Sequence, residues 1–204
     1  MLARRRYHEA IEAYNRIPNP SPDVWNKLGV SYQMMLDPKD ALRCYKESLR
    51  LRPSSGRVLN NLGSVYDSLG DHAQAERKYR QALKLDPANA NAAMNLGTNL
   101  MAQNKYREGL EMYRHAAAID PDIFDGVDAT LTAANTYPQR VASINYYKAR
   151  TFAQAGMTGR AIKYLRRAID EGFVNLRMLA QDSSFVELRK TLAFQRLLAE
   201  EHQR

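Results

Sequence analysis

The stretch NLGSVYDSLGDHAQAERKYRQALKLDP, residues 61–87, decides the fold, because its punctuation recurs on both sides at a constant step of 34. Leu28-Gly29, Leu62-Gly63 and Leu96-Gly97 fall in register, as do Ala41, Ala75 and Gly109. Tyr45, Tyr79 and Tyr113 follow, then Pro53, Pro87 and Pro121. A self-similarity of this length marks a solenoid in which each unit buries its apolar face only by stacking on the next. The register predicts repeats at 22–55, 56–89 and 90–123, each a pair of antiparallel helices turning near its fifteenth position, at Leu36-Asp37, Gly70-Asp71 and Asn104. Gly and Asn suit the left-handed backbone that ends a helix. Asp71 with Gln74 reads as a capping box, and Asp37-Pro38 as an N-cap followed by proline in the first turn. The glycines are expected to let one helix approach the small residues of its partner, with the tyrosines filling the space beside them. Gly109 is expected to cost its helix about 1 kcal/mol of propensity.

The order W-x2-L-G-x2-Y, small residue, aromatic and proline, complete at Trp25, Leu28, Gly29 and Tyr32, resembles the tetratricopeptide repeat family. That resemblance implies an all-α, right-handed superhelical solenoid of antiparallel helix pairs. It also implies a concave wall built from the first helix of each repeat.

Upstream, residues 4–17 read as an amphipathic helix in which Ala10, Tyr14 and Ile17 match the second helix of a repeat. Its first-helix partner is missing from the sequence. An open edge of that kind is expected to meet an upstream segment or another molecule, and self-association through Tyr7, Ile11 and Tyr14 is one expectation. Downstream, residues 124–141 lose the register and read as an inserted connector, with a helix around 127–135. Its aspartates, Asp120, Asp122, Asp125 and Asp128, do not meet the spacing of a calcium loop. A degenerate repeat resumes at 142–175 with Ala149, Phe152, Gly156, Ala161, Leu165 and Ala168. Residues 176–204 read as C-terminal capping helices, with Ser184 and Glu187 as a capping box. Gly172-Phe173, the run from Asp182 to Arg189, and Phe194 to Leu197 resemble the closing segment of bacterial tetratricopeptide proteins, and more loosely the exported repeat proteins of soil bacteria. The whole chain is read as a single domain.

The 204 residues carry a formal charge of +8. Residues 1–139 hold 18 basic and 16 acidic side chains, residues 140–204 hold 12 and 6, so the excess lies at the C-terminal end. No run of the sequence has the length of a membrane span and the start lacks a signal-like apolar stretch, so the chain as given reads as soluble, with the compartment open. The single cysteine, Cys44, can form no internal disulfide. The histidines, at 8, 72, 115 and 202, are scattered, and there is no phosphate loop or nucleophile elbow, so no enzyme activity, cofactor or metal is expected.

By the family's pattern, the groove wall here comprises Asn26, Lys27, Val30, Gln33 and Met34, then Arg57, Asn60, Asn61, Ser64 and Asp67, then Asn91, Met94, Asn95, Thr98 and Met101. The resemblance implies that Asn61 and Asn95 can pair with the backbone of an extended peptide, since a carboxamide both donates and accepts. Lys27 interrupts that ladder. Asparagine is also the repeat's ordinary residue there, and both readings stand on the sequence. The family's two-carboxylate clamp for chaperone C-termini is absent, since Asn26 and Val30, then Asn91 and Asn95, occupy its positions. The expected function is a non-catalytic scaffold holding a peptide, loop or helix of a partner protein. The alternatives are an anion or nucleic-acid site on Arg160, Lys163, Arg166 and Arg167, which lack interleaved aromatics for base stacking, and a regulatory segment of a larger protein.

Overall fold

The computed structural model of the chain describes residues 2–124, 138–172 and 176–202, all helix or turn with no strand among them. Helix α1 spans Leu2–Asn15, and three helix pairs follow at the 34-residue step. These are α2 (Pro22–Met34) with α3 (Pro38–Leu51), α4 (Gly56–Ser68) with α5 (His72–Leu85), and α6 (Ala90–Ala102) with α7 (Tyr106–Ile119). A fourth pair, α8 (Pro138–Gln154) and α9 (Thr158–Asp170), precedes the closing elements α10 (Leu176–Gln181), a 3-10 turn at Ser183–Phe185, α11 (Val186–Arg189) and α12 (Leu192–His202). The architecture is a right-handed all-α solenoid closed by capping helices.

Local chemistry sets each boundary. The side chains of Ser21, Asp37, Ser55, Asp71 and Asn89 each accept from the amide three residues on, satisfying a donor that the first helical turn leaves open. At the hairpin turns one residue takes the left-handed conformation: Leu36 (φ 62°), Gly70 (78°), Asn104 (62°) and Gly156 (73°). Its neighbour's amide then reaches back to a carbonyl of the preceding helix, as Asp37 does to Tyr32 and Asp71 to Tyr66. Leucine has a Cβ to strain there; glycine and asparagine tolerate the conformation.

The tyrosines lie directly on the glycines. A Cβ added to Gly29 would come within 2.5 Å of the Tyr45 ring, and one on Gly63 within 2.7 Å of Tyr79. In the third pair the glycine also approaches the small residue of its partner helix. There a Cβ on Gly97 would meet Tyr113 at 2.5 Å and the Gly109 carbonyl at 3.1 Å. Each buried ring sends its hydroxyl to the polar wall, Tyr45 to Gln33 (2.9 Å), Tyr79 to Asp67 (3.0 Å) and Tyr113 to Thr98 (3.0 Å). A buried hydroxyl without a partner would be costly.

The fourth pair joins the third in a new sense. Between α5 and α6 the contact is antiparallel: Glu76, near the start of α5, meets Gln103 and Lys105 just past the end of α6. At the next junction Tyr106, at the start of α7, stacks on Tyr147 with ring centroids 5.1 Å apart, and Arg114, about two turns on, bonds Gln154. Helix α8 therefore runs in the same direction as α7. A return of that kind needs a connection longer than the 14-residue α7, about 21 Å. Residues 120–137 can reach on the order of 60 Å when extended.

Two boundaries differ from the sequence expectation. Helix α8 begins at Pro138, where a fixed φ suits a first helical turn, so residues 138–141 are helix and not connector. Phe124 is 1% exposed and packs edge-on against Tyr113 and Phe152. The expected helix at 127–135 and the aspartates at 125 and 128 lie outside the described residues. Ser184 is not a cap: Asp182 caps the 3-10 turn, while Ser184 Oγ accepts from Arg150 Nε (3.0 Å) and Gln154 Nε2 (3.2 Å). Glu187 pairs with Lys190 instead. The closing elements bury Phe185, Leu188, Phe194 and Leu197 in one cluster with Phe152, Leu165 and Ala168. That burial covers the apolar end of the stack.

Candidate functional site

Helices α2, α4 and α6 lie side by side, and their exposed faces form one wall. Its central feature is a continuous string of carboxamides. Asn95 Nδ2 donates to Asn60 Oδ1 (3.0 Å), Asn60 Nδ2 reaches Asn61 Oδ1 (3.5 Å), and Asn61 Nδ2 donates to Asn26 Oδ1 (3.2 Å). A carboxamide has two N–H donors and two acceptor lone pairs, so the half-buried Asn60, Asn61 and Asn95 keep capacity beyond these bonds, while Asn26, buried at 6% exposure, anchors the string. The string runs between fifth and sixth positions of neighbouring repeats. The exposed Lys27 therefore does not interrupt it, because Asn26 supplies the first rung.

The remaining wall residues divide by what holds them. Val30 (37% exposed) and Met34 (42%) present apolar surface, and Asn91 is exposed. Met94 and Met101 sit in the core at 7% and 4%, leaving a partner almost nothing to touch. Gln33 bonds Ser64 (3.0 Å) besides receiving the Tyr45 hydroxyl, and Thr98 Oγ1 is spent on Tyr113 and the Met94 carbonyl. Arg57 bonds Asp23, which also holds Arg52.

Asp67 is the most committed wall residue. Its carboxylate accepts from the Tyr79 hydroxyl (3.0 Å) and from Asn99 Nδ2 (2.5 Å), and His72 Nδ1 lies 2.9 Å away. Burial pushes its carboxyl above the usual range, against the opposing pull of the hydrogen bonds from His72, Asn99 and Tyr79. Asn99, 1% exposed, ties Asp67 to the His72 carbonyl (3.0 Å) and fixes the second pair on the third. Nothing in the 34-residue pattern distinguishes Asn99, because its counterparts are Ser31 and Val65. No cluster of metal-ligating side chains occurs among the described residues. Cys44 is fully buried and burial lifts its thiol to about 11, so the thiolate is suppressed.

The basic face of α9 is largely engaged. Arg160 bonds Asp122 and the Pro121 carbonyl, and Arg166 pairs with Glu200 (2.6 Å). Lys163 and Arg167 lie over the Tyr164 ring. No described helix is long and apolar enough to cross a membrane.

Stacked helix pairs with glycine seated on tyrosine and a polar wall along the first helices define a helical-repeat interaction protein. Profiles of the tetratricopeptide repeat match residues 23–88 and 68–129, which together span just over half of the chain. The chain belongs to the tetratricopeptide repeat family. No curated protein matches the sequence. Among solved structures it is similar to the MamA protein, at 21% identity and a TM-score of 0.55 over 81% of this chain and 82% of that one. A second MamA structure, AMB-1, gives 18% identity and 0.52 over 87% and 89%. The first TPR of Spaghetti (RPAP3), bound to the HSP90 peptide SRMEEVD, gives 23% and 0.50 over 52% and 85%. At such identities the likeness is one of fold.

Proposed function

We propose that residues 1–204 act as one non-catalytic interaction scaffold whose wall on α2, α4 and α6 holds an extended segment of a partner protein by its backbone. The carboxamide string from Asn26 to Asn95 carries this reading. Its spacing follows the stacking of the helices, and its half-buried members Asn60, Asn61 and Asn95 keep donors and acceptors that suit peptide groups of any sequence. Val30 and Met34 add adaptable apolar contact at one end of the wall. The Spaghetti repeat binds an acidic HSP90 peptide. Here the residues at the corresponding clamp positions are Asn26, Val30, Asn91 and Asn95, so a bare chain terminus is not the feature read. The rival site on α9 is disfavoured by its internal pairing.

The test is a partner recovered from native lysate and titrated at two salt concentrations. Neutral hydrogen bonds contribute roughly 0.5–1.5 kcal/mol each, so Asn61→Ala with Asn95→Ala should weaken binding by about one to two orders of magnitude. The salt slope should stay the same. Binding that ignores the asparagines, falls steeply with salt and flattens with Arg166→Ala and Arg167→Ala would move the site to α9.

A further inference from the structure

Helices α2 and α4 each lie on the helix that follows and beside the next first helix, α2 on α3 beside α4, and α4 on α5 beside α6. The face they cover on α3 and α5 centres on Tyr45 and Tyr79, with Gly29 and Gly63 seated on the rings. One further place in this series exists. Helix α1 packs on α2 as α3 packs on α4, and its Ala10 and Tyr14 repeat the spacing of Ala41 and Tyr45. Here no described helix covers the tyrosine. Between α1 and α2 lies an open cleft of about 520 Å³ lined by Arg6, Tyr7, Ala10, Tyr14, Lys27, Val30 and Ser31. Its two charged side chains, Arg6 and Lys27, are both cations and both exposed, and neither makes an ion pair among the described residues.

We propose that this cleft docks an acidic amphipathic helix of a partner protein, with a glycine or alanine against the Tyr14 ring and carboxylates facing Arg6 and Lys27. Shape sets the helical form, since the equivalent faces on α3 and α5 are each covered by a helix of 13 residues. Charge selects the partner, because the cleft holds no acidic lining residue. The same charge disfavours a second copy, whose own Arg6 and Lys27 would be brought toward like charges across a two-fold axis. This docking site borders the carboxamide wall, sharing Lys27 and Val30 with it but none of the asparagines, and rests on the interaction-scaffold reading only in that both bind protein.

The experiment uses the full chain and a stapled, fluorescein-labelled 13-residue helix carrying one central glycine between leucines and glutamates on the flanking positions. A lysine version and a version with leucine for the glycine serve as comparisons. Anisotropy should show the acidic helix binding at least roughly tenfold tighter than the basic one, weakening with added salt. Arg6→Glu with Lys27→Glu, both at exposed positions, should reverse the preference while circular dichroism stays unchanged. The leucine version should lose most of its binding. Equal binding of both charges, or no binding up to about 1 mM, overturns the proposal. Loss of binding in Asn61→Ala with Asn95→Ala but not in the charge reversal places the helix on the wall, and overturns the cleft while leaving the scaffold reading intact. A dimer in sedimentation that Ile11→Glu abolishes and the acidic helix cannot displace assigns the cleft to a second copy and overturns it equally.

Discussion

Lys148 stands where the three regular repeats carry Leu28, Leu62 and Leu96, and it is buried nearly as deeply, at 6% exposure against 1–2% for the leucines. Burial, and behind it the charge of Arg167, lowers its amine from 10.5 to about 8, with Glu171 pulling weakly the other way. Holding it protonated in the fold at pH 7 thus costs roughly 3 kcal/mol, at 1.36 kcal/mol per pKa unit. The Phe124 and Tyr164 rings, 5.2 and 5.4 Å from Nζ, return part of that to the cation, about 0.5–2 kcal/mol by the usual scale. With that return subtracted, Lys148→Met, which keeps the unbranched path and removes the charge, should stabilise the chain at pH 7 by about 1–3 kcal/mol. For a domain of this size that is on the order of 2–10 °C in Tm. The sign with pH follows from the depressed folded-state value. The unfolded chain binds the extra proton between pH 8 and 10.5, so the native protein gains stability as pH rises through that window and loses it as pH falls back through it, the loss being complete below about 8. The advantage of Lys148→Met should shrink by roughly 2 kcal/mol between pH 7 and pH 9.5. Urea unfolding of both proteins at the two pH values measures it. A methionine variant less stable at pH 7, or a gap that does not change with pH, would refute the view that this buried charge is only partly compensated.

Four further outcomes are expected. Leu36→Gly should stabilise by up to about 1 kcal/mol, because Leu36 is 72% exposed at φ 62° where the next pair has Gly70; an unchanged urea midpoint would contradict it. Gly63→Ala should destabilise by about 1–3 kcal/mol despite the better helix propensity of alanine, since the new Cβ sits 2.7 Å from the Tyr79 ring; thermal unfolding at or above wild-type temperature counts against the ring-on-glycine contact. Glu76 is buried, which raises its carboxyl, but hydrogen bonds from Lys105 and Gln103 and the charge of Arg80 outweigh this and lower it overall. Its stabilisation is therefore present above the usual carboxylate range and lost as pH falls through the lowered value, and Glu76→Gln should flatten the acid limb of the stability curve. Cys44 should resist maleimide in the native protein and react at once in denaturant; rapid native labelling would mean that α3 opens easily.

The helix pairs were legible because their information is local and periodic. A glycine, a tyrosine and a cap recurring every 34 residues specify a unit that needs only its neighbour, and the starts of α2, α4 and α6 lie 34 residues apart, as do those of α3, α5 and α7. The direction of α8 was not legible. It depends on contacts such as Tyr106 with Tyr147, 41 residues apart, and Arg114 with Gln154, 40 apart, in a stretch where the repeat pattern gives way. Ser184 misled for a related reason. A serine three residues before a glutamate has the form of a capping box, but Arg150 and Gln154 claim its oxygen once α8 lies over the closing turn.

The wall shows where a pattern of residue types ends and geometry takes over. Amides at recurrent positions were visible as an amide-rich face, and the sequence suggested separate rungs at Asn61 and Asn95 with Lys27 as a gap. The bonds instead join residues 35 apart, the sixth position of one repeat to the fifth of the one before it, with Asn60 and Asn61 linking the two steps. That offset is set by how each first helix is rotated against its neighbour, a quantity no single repeat encodes. The consequence bears on binding strength. On the proposed reading, amides already held by one another would lose less side-chain freedom when a peptide arrives, so the wall would meet it partly preorganised. Removing Asn60 alone breaks the string in the middle while leaving Asn61 and Asn95 in place. If preorganisation matters, Asn60→Ala should weaken binding mainly through a less favourable entropy at nearly constant enthalpy, read by calorimetry. An equal loss in enthalpy would show that Asn60 touches the ligand itself, and the string would then be a row of contacts and not a brace.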